Sequence, residues 1–182
     1  EIPVTAIYDD NLNIHSLGNY EVLGKYNSEL LLNENLIISI GDNYIRKSIS
    51  EKIKHKFGNA IHNSAIISDT SSINIGTVIF HNAVIQSEFK IGKHVIINTS
   101  ASIDHECIIE DYVHISPNAT LCGGVHIGEG THFGAAAVAI PNIKIGKWCT
   151  IGAGTVVIKD VPDYAVVVGN PGRIIKYREN NV

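Results

Sequence analysis

Between residues 61 and 157 the chain reads IHNSAI ISDTSS INIGTV IFHNAV IQSEFK IGKHVI INTSAS IDHECI IEDYVH ISPNAT LCGGVH IGEGTH FGAAAV AIPNIK IGKWCT IGAGTV V, and every block of six opens on a bulky aliphatic residue except at Phe133 and Ala139. No insertion or deletion breaks the count from Ile61 to Val157. Four residues after each opening residue comes a second, usually small one: Ala65, Ser71, Thr77, Ala83, Ala101, Cys107, Ala119, Thr131, Ala137, Cys149 and Thr155. A helix would repeat its apolar residues three and four apart, and an ordinary half-buried strand would alternate briefly and then turn. Period six instead describes one short strand and one corner, the unit of a β-helix. Three units make an eighteen-residue coil, so residues eighteen apart stack at about 4.8 Å. The stretch predicts roughly five coils, about 25 Å of prism. Isoleucine suits the interior because β-branched side chains fill a pleated surface. Gly92, Gly128, Gly134, Gly146 and Gly152 directly follow the opening residue, where the chain is expected to turn without room for a Cβ.

Outward from this stretch, residues 1–58 read as a small α/β domain. Pro3 to Tyr8 is an apolar strand ending in the polar Asp9-Asp10-Asn11, and Leu36 to Ile40 is a buried strand closed by Gly41. Asp42 or Asn43 can cap a following helix whose Ile45, Ile49, Ile53 and Phe57 recur every four residues, with Arg46, Lys47, Lys52 and Lys54 on its other faces. Strand, glycine, capped helix and strand form the grammar of a parallel α/β domain. In such sheets ligands lie beyond the carboxyl ends of the strands, the edge that Asp9, Asp10 and Gly41 occupy. A polar loop and an ordinary turn glycine would read the same. The prism domain spans 59–160. Residues 161–182 hold a last strand, Ala165 to Val168, and a Gly169-Asn170-Pro171-Gly172-Arg173 turn, fit to cap the open end of a solenoid.

The 182 residues are 45% hydrophobic and 18% charged, a globular composition. A net charge of −4 speaks against a nucleic-acid platform, which needs a basic stripe. No apolar run reaches the length of a membrane span and no signal-peptide pattern opens the chain, so a cytoplasmic protein is expected. Cys107, Cys122 and Cys149 have neither metal nor redox spacing, and two of them fall on the small interior position. The chain opens on Glu1 in what reads as a strand, which suggests an N-terminal piece beyond it.

His105, two residues past Ile103, falls at a corner between Asp104 and Glu106 and points away from the interior. An adjacent carboxylate could fix its tautomer and raise its basicity, as a general base requires; a solvated surface histidine would look the same. Ser87 and Gly123, eighteen residues either side, leave room for a substrate. His114 lies nine residues on, half a coil, so a site using both must lie between subunits; His114 and His132 should stack. Some proteins built on this kind of prism bind zinc with three histidines at subunit interfaces, in a pattern that includes a pair five residues apart, a spacing that none of the nine histidines has. With no nucleophile motif, GxGxxG or P-loop, direct group transfer by a general base fits better than a covalent enzyme intermediate.

The hexapeptide pattern, Asn98-Thr99 leading into Ile103-Asp104-His105-Glu106-Cys107, then Asp111-Tyr112-Val113-His114, and the Gly169-Asn170-Pro171 turn together resemble the bacterial sugar O- and N-acetyltransferases of the sialic acid O-acetyltransferase type. Tyr8-Asp9-Asp10 and the run from Ser39 to Lys47 extend the likeness to that family's nucleotide-binding half. It is nearest the enzymes that acetylate the 4-amino group of UDP-linked amino sugars in bacillosamine-type pathways. The resemblance implies a left-handed parallel β-helix behind a small, truncated Rossmann-like α/β domain, and a homotrimer with sites between neighbouring prisms. It implies acetyl-CoA as co-substrate and no metal. His105 would be the general base and Glu106 its orienting partner. His114, Ala135 and Ala153 would line the acetyl-CoA groove, the alanines through backbone groups, and Asp9, Asp10 and Gly41 would hold the nucleotide sugar. Two departures stand out. The family's opening strand, histidine-bearing Gly-rich turn and helix are not present, and Gly172 follows Pro171 where the family usually has alanine. Transfer to a sialic acid or other sugar hydroxyl is the nearest alternative; a zinc hydratase and a non-catalytic scaffold are the others.

Overall fold

A computed structural model of the chain describes residues 3–70 and 72–179. The small repeat position Ser71 and the opening residue Glu1 lie outside them. From Ala60–Ile61 to Val156–Val157 the chain forms seventeen two-residue strands, one per repeat. They stack in register with their neighbours eighteen residues away, as Ser102 pairs with Val84 and Thr120, in three parallel sheets. The first face runs from Ala60–Ile61 through His114–Ile115 to Thr150–Ile151, the second from Ile66–Ile67 through Ser102–Ile103 to Val156–Val157, and the third from Ser72–Ile73 to Lys144–Ile145. The prism is therefore a parallel β-solenoid of nearly six coils, longer than the rough expectation of five because all seventeen repeats pair.

Both periodic positions fill the interior: Ile97, Ile103, Ile115, Ala101, Ala119 and Ala137 are among its buried residues, and Cys107 and Cys149 join them. Burial pushes the Cys107 thiol up to about 11, so it packs as a small apolar group.

The turning residue is not where the glycines suggest. In each repeat from Gly76 to Gly154 the residue three past the opening one takes a left-handed φ, between +53° and +77°, and most of these residues are not glycine. The glycines directly after the opening residue serve close stacking instead: a Cβ on Gly128 would lie 2.7 Å from the Gly146 carbonyl carbon of the next coil.

The last strands close the prism. Ala165–Val168 continues the first face beside Thr150–Ile151, and Arg173–Tyr177 returns antiparallel to it, a second strand beyond the one expected. Val161 bridges Ile145 on the third face, and the Gly172 N–H reaches the Val156 carbonyl on the second.

The front half is sparse. Helix α1 (Asn43–Ser50) forms behind the expected cap, with the Asp42 carboxylate accepting the Ile45 N–H at 2.9 Å, but it ends short of Ile53 and Phe57, which the four-residue stripe had included; Phe57 bridges Leu36 instead. The expected strands over 3–8 and 36–40 shrink to the parallel bridges Ile7–Val22 and Leu36–Phe57, since among the described residues neither has a full neighbouring strand to pair with. A hairpin of Ser16–Leu17 and Tyr20–Glu21 lies between them.

Helix α1 docks with the face opposite to its aliphatic stripe. Ile45 is 51% exposed while Arg46, assigned to an outer face by its charge, is 1% exposed. The corner between third and first faces explains the reversal: it offers His94, Tyr112, Gly130 and Trp148 in one column, rings and free carbonyls rather than an aliphatic surface. Asn43 donates to the Gly130 carbonyl at 2.9 Å, Tyr44 stacks on Trp148 at 3.9 Å, Lys47 pairs with Glu129 at 2.7 Å, and the Ser50 and Tyr112 hydroxyls meet at 3.0 Å. Arg178 of the last strands' end lies over Tyr44.

Candidate active site

The strand Ser102–Ile103 delivers His105 to the corner between second and third faces. There the Asp104 carboxylate accepts the His105 backbone N–H at 2.8 Å, and Glu106 takes the left-handed turning conformation, φ +59°. This turn swings the Glu106 carboxylate back to the imidazole, with Oε2 3.0 Å from Nδ1. A carboxylate only accepts, so Nδ1 carries the proton and Nε2 keeps a free lone pair. The side chains are 55% and 64% exposed, so the pair is available to a molecule from outside. Gly123 of the next coil lies flat against the ring: a Cβ there would come within 2.6 Å of His105 Cε1. Ser87 of the preceding coil accepts the Glu106 N–H at 3.1 Å.

His114 faces outward from the middle of the first face. Asn98 spends its side-chain oxygen on the Thr99 N–H at 2.8 Å, so its amide N–H is aimed at His114 Nε2, 3.2 Å away. Nε2 therefore accepts, and Nδ1 donates to the Gly41 carbonyl at 3.3 Å. Burial, and then the neighbouring His132, push the His114 pKa down to about 4, so the ring is neutral. His132 stacks beside it with ring centres 4.9 Å apart and meets the Ser116 hydroxyl at 3.1 Å; burial lowers its pKa too.

Ala135 and Ala153 stack eighteen apart at the corner between first and second faces, both exposed, and the Ala135 carbonyl accepts the Gly154 N–H at 2.8 Å. Of the front-half candidates, Gly41 reaches the prism through His114. Asp9 and Asp10 sit exposed on their loop, where the Asp9 carboxylate accepts the Asn11 N–H at 2.7 Å.

Sequence reading missed two partners of this region. Asn98 orients His114, and Arg46 donates all five of its guanidinium hydrogens, to the carbonyls of His94, Ile40, Gly41 and Tyr112 and to Asn43 Oδ1, at 2.7 to 3.2 Å. Asn98 was legible as the residue sixteen before His114, beside it on the preceding coil. Arg46 was hidden by its charge. His105, at the corner opposite the first face, and His114, on that face, do not converge within one chain. A cleft of about 460 Å³ on the third face, lined by Glu110, His126, Lys144 and Lys147 among others, holds neither. Among the described residues no group of three or more His, Cys, Asp or Glu side chains is placed to hold a metal ion, and no helix is long and apolar enough to cross a membrane.

Family models match the chain at both ends of this architecture: the PglD N-terminal domain over residues 1–53, and the bacterial transferase hexapeptide (six repeats) over 106–139 and 124–159. No curated protein matches the chain. Among solved structures, a point mutant of perosamine N-acetyltransferase from Caulobacter crescentus, in complex with CoA and GDP-perosamine, is 32% identical over 86% of this chain and 78% of its own, with a TM-score of 0.83. The acetyltransferase domain of PglB from Neisseria gonorrhoeae in complex with acetyl coenzyme A is 33% identical over 94% of this chain and 86% of its own, with a TM-score of 0.86. WeeI from Acinetobacter baumannii is 30% identical over 93% and 85%, with a TM-score of 0.83.

Proposed function

The chain belongs to the hexapeptide-repeat sugar N-acetyltransferases, and from that premise we propose that it transfers the acetyl group of acetyl-CoA to the 4-amino group of a nucleotide-linked amino sugar. The observation that carries the reading is the exposed His105–Glu106 pair over Gly123, a base with a fixed tautomer and an open face. The sugar amine attacks the thioester carbonyl while His105 Nε2 removes its proton. The tetrahedral intermediate then expels the CoA thiolate, which can take that proton back from the imidazolium. Glu106 stabilises the imidazolium formed on the way.

Ala135 and Ala153 would offer backbone groups and a flat surface to the pantetheine arm, with His114 on the adjoining face. Asp9, Asp10 and Gly41 would hold the nucleotide sugar. Because His105 and His114 lie on opposite sides of one prism, a site that uses both forms between copies, and the likeness to the family makes that assembly a homotrimer. The nucleotide is UDP by likeness to the bacillosamine-type enzymes, and the GDP-perosamine held by one relative makes GDP the competing choice. Acetyl-CoA and nucleotide sugars are cytoplasmic metabolites, which supports action there.

A thiol-release assay with acetyl-CoA and a panel of UDP-, dTDP- and GDP-linked 4-amino sugars tests this. Turnover on one of them is expected and names the nucleotide. Acetyl-CoA binding with turnover only on sugar hydroxyls would replace N-transfer by O-transfer, and no acetyl-CoA binding would overturn the reading.

A further inference from the structure

Arg46 is buried against a corner of the prism, yet none of its five hydrogen-bond acceptors is a carboxylate. A buried cation with no carboxylate among its acceptors is costly, and burial lowers its pKa to about 10, opposed only in part by the charge of the nearby Asp42 carboxylate. Docking of α1 does not by itself account for it. Asn43, Tyr44, Lys47 and Ser50 each anchor the helix separately. What the guanidinium alone supplies is a pair of Nη1 hydrogens on two successive carbonyls, Ile40 at 3.0 Å and Gly41 at 3.2 Å, while Nε and Nη2 fix it to the His94 and Tyr112 carbonyls of the prism. The Gly41 oxygen has two lone pairs. Arg46 takes one and His114 Nδ1–H takes the other.

We propose that Arg46 is a positioning residue for acetyl transfer: by pinning the Ile40–Gly41 carbonyls to the prism it holds the Gly41 oxygen on His114 Nδ1, and so fixes the tautomer and aim of His114. One buried cation thereby ties the loop expected to hold the nucleotide sugar to the ring expected to line the acetyl-CoA groove. The inference rests on that assignment of His114. Lysine cannot replace it, since an ammonium has three hydrogens against the guanidinium's five and no planar fork to span two carbonyls.

The test is acetyl-CoA binding by isothermal titration to the full chain and to Arg46→Lys, His114→Ala and their double variant, with Tyr44→Ala as a control that removes a helix anchor outside the Arg46 network. Arg46→Lys is expected to weaken binding at least about ten-fold, the double variant to bind no worse than His114→Ala, and Tyr44→Ala to melt earlier with binding unchanged. Losses that multiply in the double variant, or equal losses in Tyr44→Ala, would reduce Arg46 to a helix anchor and overturn the proposal. Should Arg46→Lys fail to fold, ring-nitrogen NMR of Asn98→Ala, which leaves the Arg46 bonds whole but removes the other partner of the ring, decides: His114 still protonated on Nδ1 is expected, and protonation on Nε2 would overturn it. If the unaltered protein does not bind acetyl-CoA, the reading of the function falls, and with it this role, whatever the tautomer.

Discussion

An imidazole that takes a proton from an amine needs a free ring nitrogen and a fixed tautomer, and His105 obtains both from its neighbour in sequence. Replacing His105 by alanine should cost about 10²–10⁴ in turnover while leaving acetyl-CoA affinity and the fold intact, a split read by steady-state kinetics beside titration calorimetry. Turnover equal to the parent's would remove His105 from the chemistry. Gly123→Ala should act on the same step from the next coil, because its Cβ would meet the ring at 2.6 Å and push Nε2 off line; turnover should fall with acetyl-CoA binding kept. Much of this was readable in the sequence: two residues past Ile103 means a corner, and eighteen residues from His105 means Gly123. The left-handed backbone of Glu106 was not, because the residues sharing that conformation, among them Asn82, Ser100, Tyr112 and Trp148, have no side-chain chemistry in common.

Helix α1 was legible as a helix and misread as a surface. A stripe of isoleucines every four residues points at a core only if the neighbouring element offers an aliphatic face, and α1 meets a column of rings and carbonyls instead. Which face docks is thus decided by the corner, fifty to a hundred residues away in sequence. The same region keeps three histidines neutral by burial: His94 against α1, His114 beneath Gly41, and His132 next to it. Their folded pKa values lie below the ordinary 6.5, so below that pH the unfolded chain binds more protons than the folded one. Stability should be constant in this respect above about pH 7 and fall as the pH drops from about 6.5 towards the value of about 4 at His114. Melting temperatures from pH 7.5 to 5.0 check this; a melting temperature rising on acidification would contradict it.

At the scale of the molecule, the repeat decided the prism and the stacking of His114 on His132. It also put His105 and His114 on opposite sides of one chain. Mixing an inactive His105→Ala chain with an impaired His114→Ala chain, under conditions where copies exchange, should therefore restore activity, since some interfaces would hold one intact residue from each copy. Mixtures no more active than their components would place the whole site within one chain. The strict stacking also gives the gene something like a second reading frame. Six residues added between Ile115 and His132 would hand every later position to the neighbouring face and part the two rings, although the fold's unit had only been repeated. Eighteen would leave each face continuous and slide one full storey between them. For this architecture the tolerated change in length is counted in whole coils, and a shorter one is a frameshift written in protein.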